Sequence, residues 1–325
     1  MSGSGKLVVV FGGSGFVGRH AISALAKRDF RIRAAVRRPD LAGFLQPMGV
    51  VGQIQAVQSN FRYPDSVGRA VAAANVVVTS VGVLAPTGAQ TFEALHVEGP
   101  RAVAKAAREA GVARLIHISA IGADANSKSS YARSKAAGEK AVLEAFPDAI
   151  ILRPSIVFGP EDEFFNRFAA LARISPVMPL IGGGHTKFQP VYVGDLATAI
   201  ANIAEGQGKP GTVYEIGGPE KLSFRTLLEN TLTYSGRKRA FLPMPFWLAK
   251  LQALATFPLP NSMRPLTVDQ VRNLKKDNIV SEAAIREGRT LADLGVSAPA
   301  SVSAVVPEYL ERFKAKGQYA HYRGS

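Results

Sequence analysis

The composition of this chain of 325 residues is that of a folded protein, with room for one large α/β domain and a smaller lobe. Hydrophobic residues make up 47% and charged residues 20%, which argues against disorder and against a coiled coil. The absence of cysteine excludes disulfides, thiolate nucleophiles and cysteine-bound metals. We expect a reducing, cytoplasmic setting, no metal site, no secretory signal before Lys6 and no membrane span.

The net charge of +14 is the outlying global property. It predicts attraction to something anionic, such as nucleotide phosphates, nucleic acid, an acidic partner or an anionic lipid surface. Two basic clusters, Arg237-Lys238-Arg239 and Lys275-Lys276, lie in the second half of the chain. An ordinary solvated face explains such clusters as well, so both interpretations stay open here.

Apolar runs alternate with helical patterns through the first half. Strands are predicted at Lys6 to Phe11, Arg31 to Val36, Ile54 to Gln58, Asn75 to Val81, Arg114 to Ser119 and Ala149 to Val157. Helices are predicted at about Gly15 to Lys27, Asp65 to Ala74, Phe92 to Ala110 and Ser134 to Phe146. This alternation indicates the α/β class, a Rossmann-type doubly wound parallel sheet.

After the sixth strand, Pro, Gly and longer loops become frequent, which predicts a smaller C-terminal α/β lobe. We therefore divide the chain into a dinucleotide-binding domain, 1–158, and a lobe, 159–325, interleaved in one compact unit. Helices are expected near Phe164 to Ala172 and Ser223 to Tyr234, with a strand at Val213 to Ile216. An apolar, proline-bounded segment at 241–265 predicts either an exposed anchoring helix or a helix packed in the lobe, and its periodicity does not decide between them.

The junction of the first strand and helix carries a glycine-rich loop, Gly12-Gly13-Ser14-Gly15-Phe16-Val17-Gly18. There a pyrophosphate meets free backbone N–H groups and the positive end of the helix dipole. The first glycine permits the turn, the second the approach of the nucleotide, and the third close packing of helix and sheet. The loop predicts a nicotinamide-dinucleotide site, with a purely structural glycine turn as the alternative.

The glycine spacing resembles that of the extended and atypical branches of the short-chain dehydrogenase/reductase superfamily. The second strand ends in Val36-Arg37-Arg38 with no acid before Asp40. NAD-preferring proteins place an acid there, whereas NADP-preferring ones place arginine. We therefore favour NADPH over NADH, with Arg37 as the first candidate for the 2′-phosphate and Arg38 as the second, although both can also be solvated loop cations.

Tyr131 and Lys135 lie four residues apart, so a helix projects both from one face. A nearby ammonium is expected to lower the tyrosine pKa toward the working range for acid–base chemistry. The superfamily resemblance implies this pair as the catalytic residues, with Ser119 as the serine that polarises the substrate. A serine that only caps the strand end is the alternative for Ser119. The resemblance further implies cofactor contacts from these three residues and from Asn60, Val81, Gly82, Pro154 and Ser155.

The sequence departs from the superfamily pattern at three places that matter for chemistry. The stretch His96-Val97-Glu98-Gly99-Pro100 has no Asn where one is usual, and Asn60-Phe61-Arg62 replaces an acidic start of the adenine-contacting turn. The loop after the fifth strand is short. Together they indicate a site that has kept its cofactor machinery and has lost or altered turnover.

The run from Ser127 to Asp195 resembles more closely the nicotinamide-binding accessory subunit of respiratory complex I, found in mitochondria and some bacteria. The blocks that carry this resemblance are Tyr131-Ala-Arg-Ser-Lys135, Gly138-Glu139-Lys140, Ala145-Phe146-Pro147-Asp148-Ala149-Ile150, Arg153-Pro154-Ser155, Phe158-Gly159-Pro160-Glu161-Asp162 and Gln189-Pro190-Val191-Tyr192-Val193-Gly194-Asp195. The resemblance weakens afterwards and returns at Phe241-Leu242-Pro243-Met244-Pro245-Phe246, which in that family lies at the membrane surface.

This resemblance implies a peripheral subunit that holds NADPH as a structural ligand without turnover. Its partners would be other subunits of the hydrophilic arm and an anionic membrane surface, on the cytoplasmic face of a bacterial inner membrane or the matrix side of an organelle.

Two other functions stay open. One is a free-standing NADP-dependent reductase, epimerase or dehydratase acting through Tyr131 and Lys135. The other is a nucleotide-sensing regulatory or RNA-binding protein, although no aromatic-studded RNA motif accompanies the positive charge, so we expect no nucleic-acid partner. The isolated histidines and the absence of a Gly-x-Ser-x-Gly elbow argue against metal-dependent and hydrolase sites.

Overall fold

The computed structural model describes residues 5–256 and 267–314. The strands, in chain order, are β1 (Leu7–Phe11), β2 (Arg31–Val36), β3 (Ile54–Gln58), β4 (Val76–Thr79), β5 (Arg114–Ile118), β6 (Ile150–Pro154), β7 (Val157–Phe158), β8 (Val177–Ile181), β9 (Lys187–Phe188), β10 (Val191–Tyr192), β11 (Val213–Ile216), β12 (Leu222–Ser223) and β13 (Ala240–Met244). The α-helices are α1 (Phe16–Ala26), α2 (Pro64–Val71), α3 (Gly99–Glu109), α4 (Ser130–Ala145), α5 (Phe165–Ile174), α6 (Val193–Glu205), α7 (Phe224–Tyr234), α8 (Phe246–Ala255), α9 (Val268–Asn273), α10 (Glu282–Arg286) and α11 (Val302–Leu310).

Seven of the described strands form one sheet in the order β11-β6-β5-β4-β1-β2-β3, with every neighbouring pair parallel. Parallel strands joined by helices are buried on both faces, which explains continuous apolar runs such as Val8 to Val10. The order reverses beside β1, because β2 pairs with one of its edges and β4 with the other. The predicted doubly wound parallel sheet is confirmed, and its reversal lies where such sheets bind ligands.

Helices cover the sheet and close its core. Apolar residues of α2, α3 and α4 pack with residues on one face of the sheet, among them Val9, Val77 and Leu115. Helices α1 and α6 pack against each other. The packing of Val9 and Phe11 with α2, α3 and α4 holds β1 in place.

Two element boundaries differ from the sequence prediction in ways that matter for the site. Helix α4 begins at Ser130, not near Ser134, because the Ser129 hydroxyl caps it by accepting a hydrogen bond from the Ala132 N–H. The long helix expected from Phe92 starts instead as a π-helical turn, Glu93–Glu98, before α3. Such turns place an extra residue in a helix and are frequent at functional sites.

The described chain forms two compact units, each built from separate segments. The first comprises 5–154, 193–216 and 280–297, and the second comprises 155–192, 217–256, 267–279 and 298–314. The single boundary expected near residue 158 stays a prediction. The first unit includes α6 and β11 because β11 pairs with β6 at the edge of the large sheet.

The second unit consists of short strand pairs and helices around an aromatic core. Its pairs are β7 with β10, β8 with β13 and β9 with β12. Phe158, Phe165, Phe188 and Phe224 are buried in its core with residues of α5, α7 and α11. No helix among residues 5–256 and 267–314 is long and apolar enough to cross a membrane.

The apolar segment predicted at 241–265 forms β13 and α8 as far as residue 256, and 257–266 lie outside the described residues. Helix α8 buries the small side chains Ala249 and Ala253, whereas Trp247, Leu251 and Leu254 are 69%, 56% and 53% exposed. Packing therefore engages the alanine side of the helix and leaves Trp247, Leu251 and Leu254 largely in solvent.

Candidate nicotinamide-dinucleotide site

The glycine loop connects β1 to α1 in the geometry that a pyrophosphate needs. Gly12 has a φ of +79°, which favours glycine, and the Gly15 N–H donates to the Gly12 carbonyl at 2.9 Å. A Cβ at Gly18 would lie 2.2 Å from the Gly12 oxygen, so any other residue there would force the helix away from the loop. Neither a side-chain cap nor an acid occupies the first turn of α1, which leaves its N–H groups available to an anion.

Arg19 supports this loop and was missed by the sequence reasoning. Its guanidinium donates to the carbonyls of Ser14, at 2.9 Å, and Gly15, at 3.3 Å, and lies 4.8 Å above the Phe44 ring. Its position on α1, four residues after Gly15, could have indicated that its side chain reaches back to the loop.

The two arginines after β2 differ in their surroundings. The Arg38 guanidinium forms a paired hydrogen bond to Asp40, with Nε–Oδ1 and Nη2–Oδ2 distances of 3.0 and 2.7 Å. Arg37 is exposed, and within the described ranges no ion pair or hydrogen bond engages its guanidinium. Arg37 is therefore the better placed of the two to meet a phosphate.

The remaining predicted contacts at the adenosine end follow β3 and β4. The side chain of Asn60 accepts a hydrogen bond from the Arg62 N–H at 3.1 Å, within its own turn. A Cβ at Gly12 would lie 3.1 Å from Val81 Cγ2, so the glycine loop and the loop after β4 are in direct contact. A Cβ at Gly82 would lie 3.4 Å from Lys135 Nζ, which brings the same loop to α4.

Tyr131 and Lys135 stand on one face of α4, as predicted. Lys135 is buried, its Nζ donates to the Ile118 carbonyl at 3.3 Å, and burial lowers its pKa to about 8 against an opposing effect of Glu139. The expected lowering of the tyrosine pKa is wrong, because burial raises the pKa of Tyr131 to about 12. Removing the phenolate from water outweighs any stabilisation by a lysine that is itself desolvated.

Ser119 belongs to a buried ionic network that the sequence did not reveal. Its hydroxyl donates to Glu139, and the Arg153 guanidinium engages both carboxylate oxygens at 2.8 and 2.6 Å. Ser119 and Glu139 are only 4% and 5% exposed. An ionised carboxylate only accepts, so the single hydroxyl proton of Ser119 is directed at Glu139 and not at a ligand.

Two buried histidines complete the interior beneath the loop after β4. His117 of β5 lies 2.5 Å from the Thr79 hydroxyl through Nδ1, and His96 lies in the π-helical turn. Burial is the main cause that lowers the pKa of each to about 3. Both are therefore neutral at ordinary pH.

The last two predicted contacts fall in different units. Pro154 ends β6, and its carbonyl accepts from the Ile121 N–H at 2.9 Å. Ser155 belongs to the second unit, where its hydroxyl lies 2.6 Å from the Asn278 side-chain oxygen. The first unit thus brings together the glycine loop, Val81, Gly82, Ser119, Tyr131 and Lys135, while Arg38 is engaged by Asp40. The roles assigned to these residues stay predictions.

Comparisons with known proteins agree with this geometry. The NAD dependent epimerase/dehydratase family matches residues 8–217, which supports binding of a nicotinamide dinucleotide without distinguishing NADPH from NADH. The Citrobacter sp. triphenylmethane reductase complexed with NADP(H) has the same fold, with a TM-score of 0.71 at 20% identity over 94% of this chain and 99% of that one.

Proteins similar in sequence include two that bear on the function. The mitochondrial NADH dehydrogenase (ubiquinone) 1 alpha subcomplex subunit 9 of Arabidopsis thaliana is 35% identical over 294 residues, 87% of this chain and 73% of the relative. The ceramide reductase of Caulobacter vibrioides is 36% identical over 175 residues, 54% of each chain. The chain therefore belongs to the NAD dependent epimerase/dehydratase family and, within it, to the family of complex I alpha subcomplex subunit 9 proteins.

Proposed function

We propose that this chain is an accessory subunit of respiratory complex I that holds NADPH as a structural ligand without turning it over. Membership in the subunit 9 family supports the assignment to that enzyme. Its partners would then be other subunits of the hydrophilic arm. A ligand that binds only the folded chain stabilises it by mass action, which is a sufficient reason to keep the site without catalysis.

The observation that carries the holding role is the direction of the Ser119 hydroxyl. A serine that polarises a carbonyl must donate its proton to the substrate, whereas Ser119 donates to Glu139. A tyrosine with a pKa of about 12 is also a poor general acid or base near neutral pH. When bound, NADPH would supply a hydride, but the Ser119 proton is already donated to Glu139.

The preference for NADPH over NADH rests on Arg37. Its exposed guanidinium follows β2 directly, where a 2′-phosphate is bound in NADP-preferring Rossmann proteins. Arg38 should attract a 2′-phosphate less strongly, because Asp40 forms an ion pair with its guanidinium.

The second unit supports contact with an anionic membrane surface. The exposed side chains Trp247, Leu251 and Leu254 of α8 form an apolar face, and Lys250 is exposed on the same helix. Lys275 Nζ lies 5.2 Å from the Phe246 ring at the start of α8. Apolar and cationic groups together bind a membrane interface more firmly than either alone. We propose the cytoplasmic face of a bacterial inner membrane, or the equivalent matrix face, with no nucleic-acid partner.

A second candidate, a free-standing NADP-dependent reductase, is favoured by the similarity to ceramide reductase and by Lys135, whose pKa of about 8 suits proton exchange. It requires Tyr131 to deliver a proton. The two functions therefore differ in whether the Tyr131 hydroxyl takes part in the reaction.

The test is purification of the full chain from its native membranes, with mass spectrometry of the co-purifying proteins and of the nucleotide released on denaturation. We expect complex I subunits and NADPH, with respiratory activity unchanged by Tyr131→Phe. Free protein that oxidises NADPH with a carbonyl compound, and loses about 100-fold or more of that activity in Tyr131→Phe, would establish the reductase instead.

The same preparation tests the choice of nucleotide. Arg37→Glu should reduce NADPH retention, whereas Lys105→Glu, an equal change of charge at an exposed position of α3, should not. Equal retention in both variants would remove the basis for preferring NADPH.

A further inference from the structure

His96 occupies a position that neither the glycine loop nor the Tyr131–Lys135 pair explains. It is 1% exposed, and both of its ring nitrogens are engaged. Nε2 accepts a hydrogen bond from the Val83 N–H at 3.1 Å, and Nδ1 lies 2.8 Å from the Ser134 hydroxyl. Its ring therefore connects the loop after β4 with α4.

The direction of these hydrogen bonds follows from Ser134. The Ser134 hydroxyl donates its proton to the Tyr131 carbonyl at 2.8 Å, so its oxygen accepts from His96 Nδ1–H. Nε2 must then carry a lone pair to accept the Val83 N–H. His96 is thus a neutral imidazole of one defined tautomer, whose donor and acceptor are both used.

The connection lies directly beside the candidate site. The His96 ring stacks on Phe92 at 5.2 Å and meets the Tyr131 ring edge-on at 5.6 Å. A Cβ at Gly82 would lie 3.7 Å from His96 Nε2 and 3.4 Å from Lys135 Nζ. The loop backbone at Gly82 is therefore held close to both side chains.

The backbone around His96 is placed independently of its side chain. A Cβ at Gly138 would lie 1.9 Å from the His96 carbonyl oxygen, so α4 packs directly on the π-helical turn through this glycine. Substituting the imidazole should leave the turn on its helix. Variants of His96 therefore test its hydrogen bonds and not the presence of the turn.

The two hydrogen bonds have different consequences. Ser134 belongs to α4, which the hydrogen bonds of its own helix already hold in place. Val83 belongs to a loop, whose position depends on contacts such as the one to His96. Loss of the Val83 bond should release the loop, whereas loss of the Ser134 bond should leave α4 where it is.

We propose that His96 is a positioning residue that clamps the Gly82–Val83 loop onto the helix carrying Tyr131 and Lys135, and that its bond to the Val83 N–H slows dinucleotide release. The inference rests on the proposed function, because it assumes that the loop covers a bound dinucleotide. His96 takes no part in proton transfer in this role, since both nitrogens are committed to the protein.

The matched variants His96→Gln and His96→Asn separate the two bonds. A glutamine amide oxygen reaches the place of Nε2 and can accept the Val83 N–H, whereas the asparagine amide reaches only the place of Nδ1 and can serve Ser134. Each variant loses one hydrogen bond and should lose similar thermal stability. Release of NADPH from the full-length chain, followed by fluorescence after a chase with excess NADP, should accelerate about five- to tenfold in His96→Asn, the scale of one lost hydrogen bond, and stay within about twofold in His96→Gln.

Two further measurements keep the outcomes distinct. Ser134→Ala removes the other bond without changing His96 and should leave release unchanged. Hydrogen exchange of the Val83 amide in the ligand-free chain should accelerate in His96→Asn alone. Equal acceleration in both His96 variants overturns the clamp. If the wild-type chain binds no NADPH while Val83 exchange still differs between the two His96 variants, the proposed function is overturned, and of the clamp only its hold on the loop stands.

Discussion

The two units of this protein depart from ordinary globular packing in opposite ways. The first buries polar and ionisable side chains, among them Lys135, Glu139 and His96, beneath the dinucleotide loops. The second leaves large apolar side chains of α8, such as Trp247 and Leu251, exposed to solvent. Buried charges and exposed apolar faces are both unfavourable unless something compensates for them.

The compensation differs between the units. In the first, the buried network supplies its own partners, because Arg153 and Ser119 engage the Glu139 carboxylate. In the second, the side chains of α8 such as Trp247 and Leu251 stay exposed among the described residues, and we propose a membrane surface as their partner. We propose that the buried polar groups of the first unit serve to hold a ligand, and that the exposed apolar face of α8 serves assembly. Three predictions test this contrast.

The largest effect is expected from breaking the buried ion pair. Glu139→Leu leaves the Arg153 guanidinium without its carboxylate and should lower the free energy of unfolding by about 3–5 kcal/mol. Adding Arg153→Met should recover part of that loss, because the unpaired charge is then removed. Chemical denaturation measures both values. Glu144→Leu, on the exposed side of the same helix, is the control and should change stability by about 0.5 kcal/mol or less. Equal losses at the two positions would contradict a buried network.

A smaller effect per pH unit is expected from the titration of His96. The pKa of His96 is lowered to about 3 in the folded chain, so the unfolded chain binds more protons between pH 3 and about 6.5. Its contribution to stability is present above pH 6.5 and is lost as the pH falls toward 3, with a slope of about 1.4 kcal/mol per pH unit. His117 should add a similar slope. The free energy of unfolding, measured by urea denaturation between pH 4 and 8, should depend on pH less steeply in His96→Gln than in the wild type below pH 6.5, by the equivalent of about one proton. Above pH 6.5 the two curves should be parallel. Parallel curves over the whole range would mean that His96 titrates alike in both states.

The smallest effect on stability is expected on the exposed face of α8. Trp247→Glu combined with Leu251→Glu should change the free energy of unfolding by about 0.5 kcal/mol or less, because both side chains are already in solvent. The same variant should lose binding to vesicles that contain anionic lipid, measured by co-sedimentation. Ala249→Glu, on the buried side of the helix, should instead destabilise the chain. Undiminished vesicle binding by the double variant would contradict the membrane assignment.

Part of the candidate site was predictable because it depends on residues close together in the chain. The glycine loop, the arginine at the end of β2 and the spacing of Tyr131 and Lys135 are local patterns, and the structure places the loops and the pair in one unit. The position of Arg19 above the loop was also accessible in principle, because it follows Gly15 by one helical turn. The protonation behaviour of Tyr131 was not, because burial depends on the whole fold.

The predicted family is confirmed by the comparisons. The predicted α/β class is also confirmed, because periodic apolar runs and turn residues specify the strands, the crossover helices and the parallel sheet that they form. Tertiary structure decided which side chains meet, as in Ser119 with Glu139 and His96 with Val83, because these pairs come from elements that the chain brings together only after its crossovers are made. It also decided that α8 buries its alanines and exposes its tryptophan, since an apolar composition without a clear period does not determine which side of a helix faces the core.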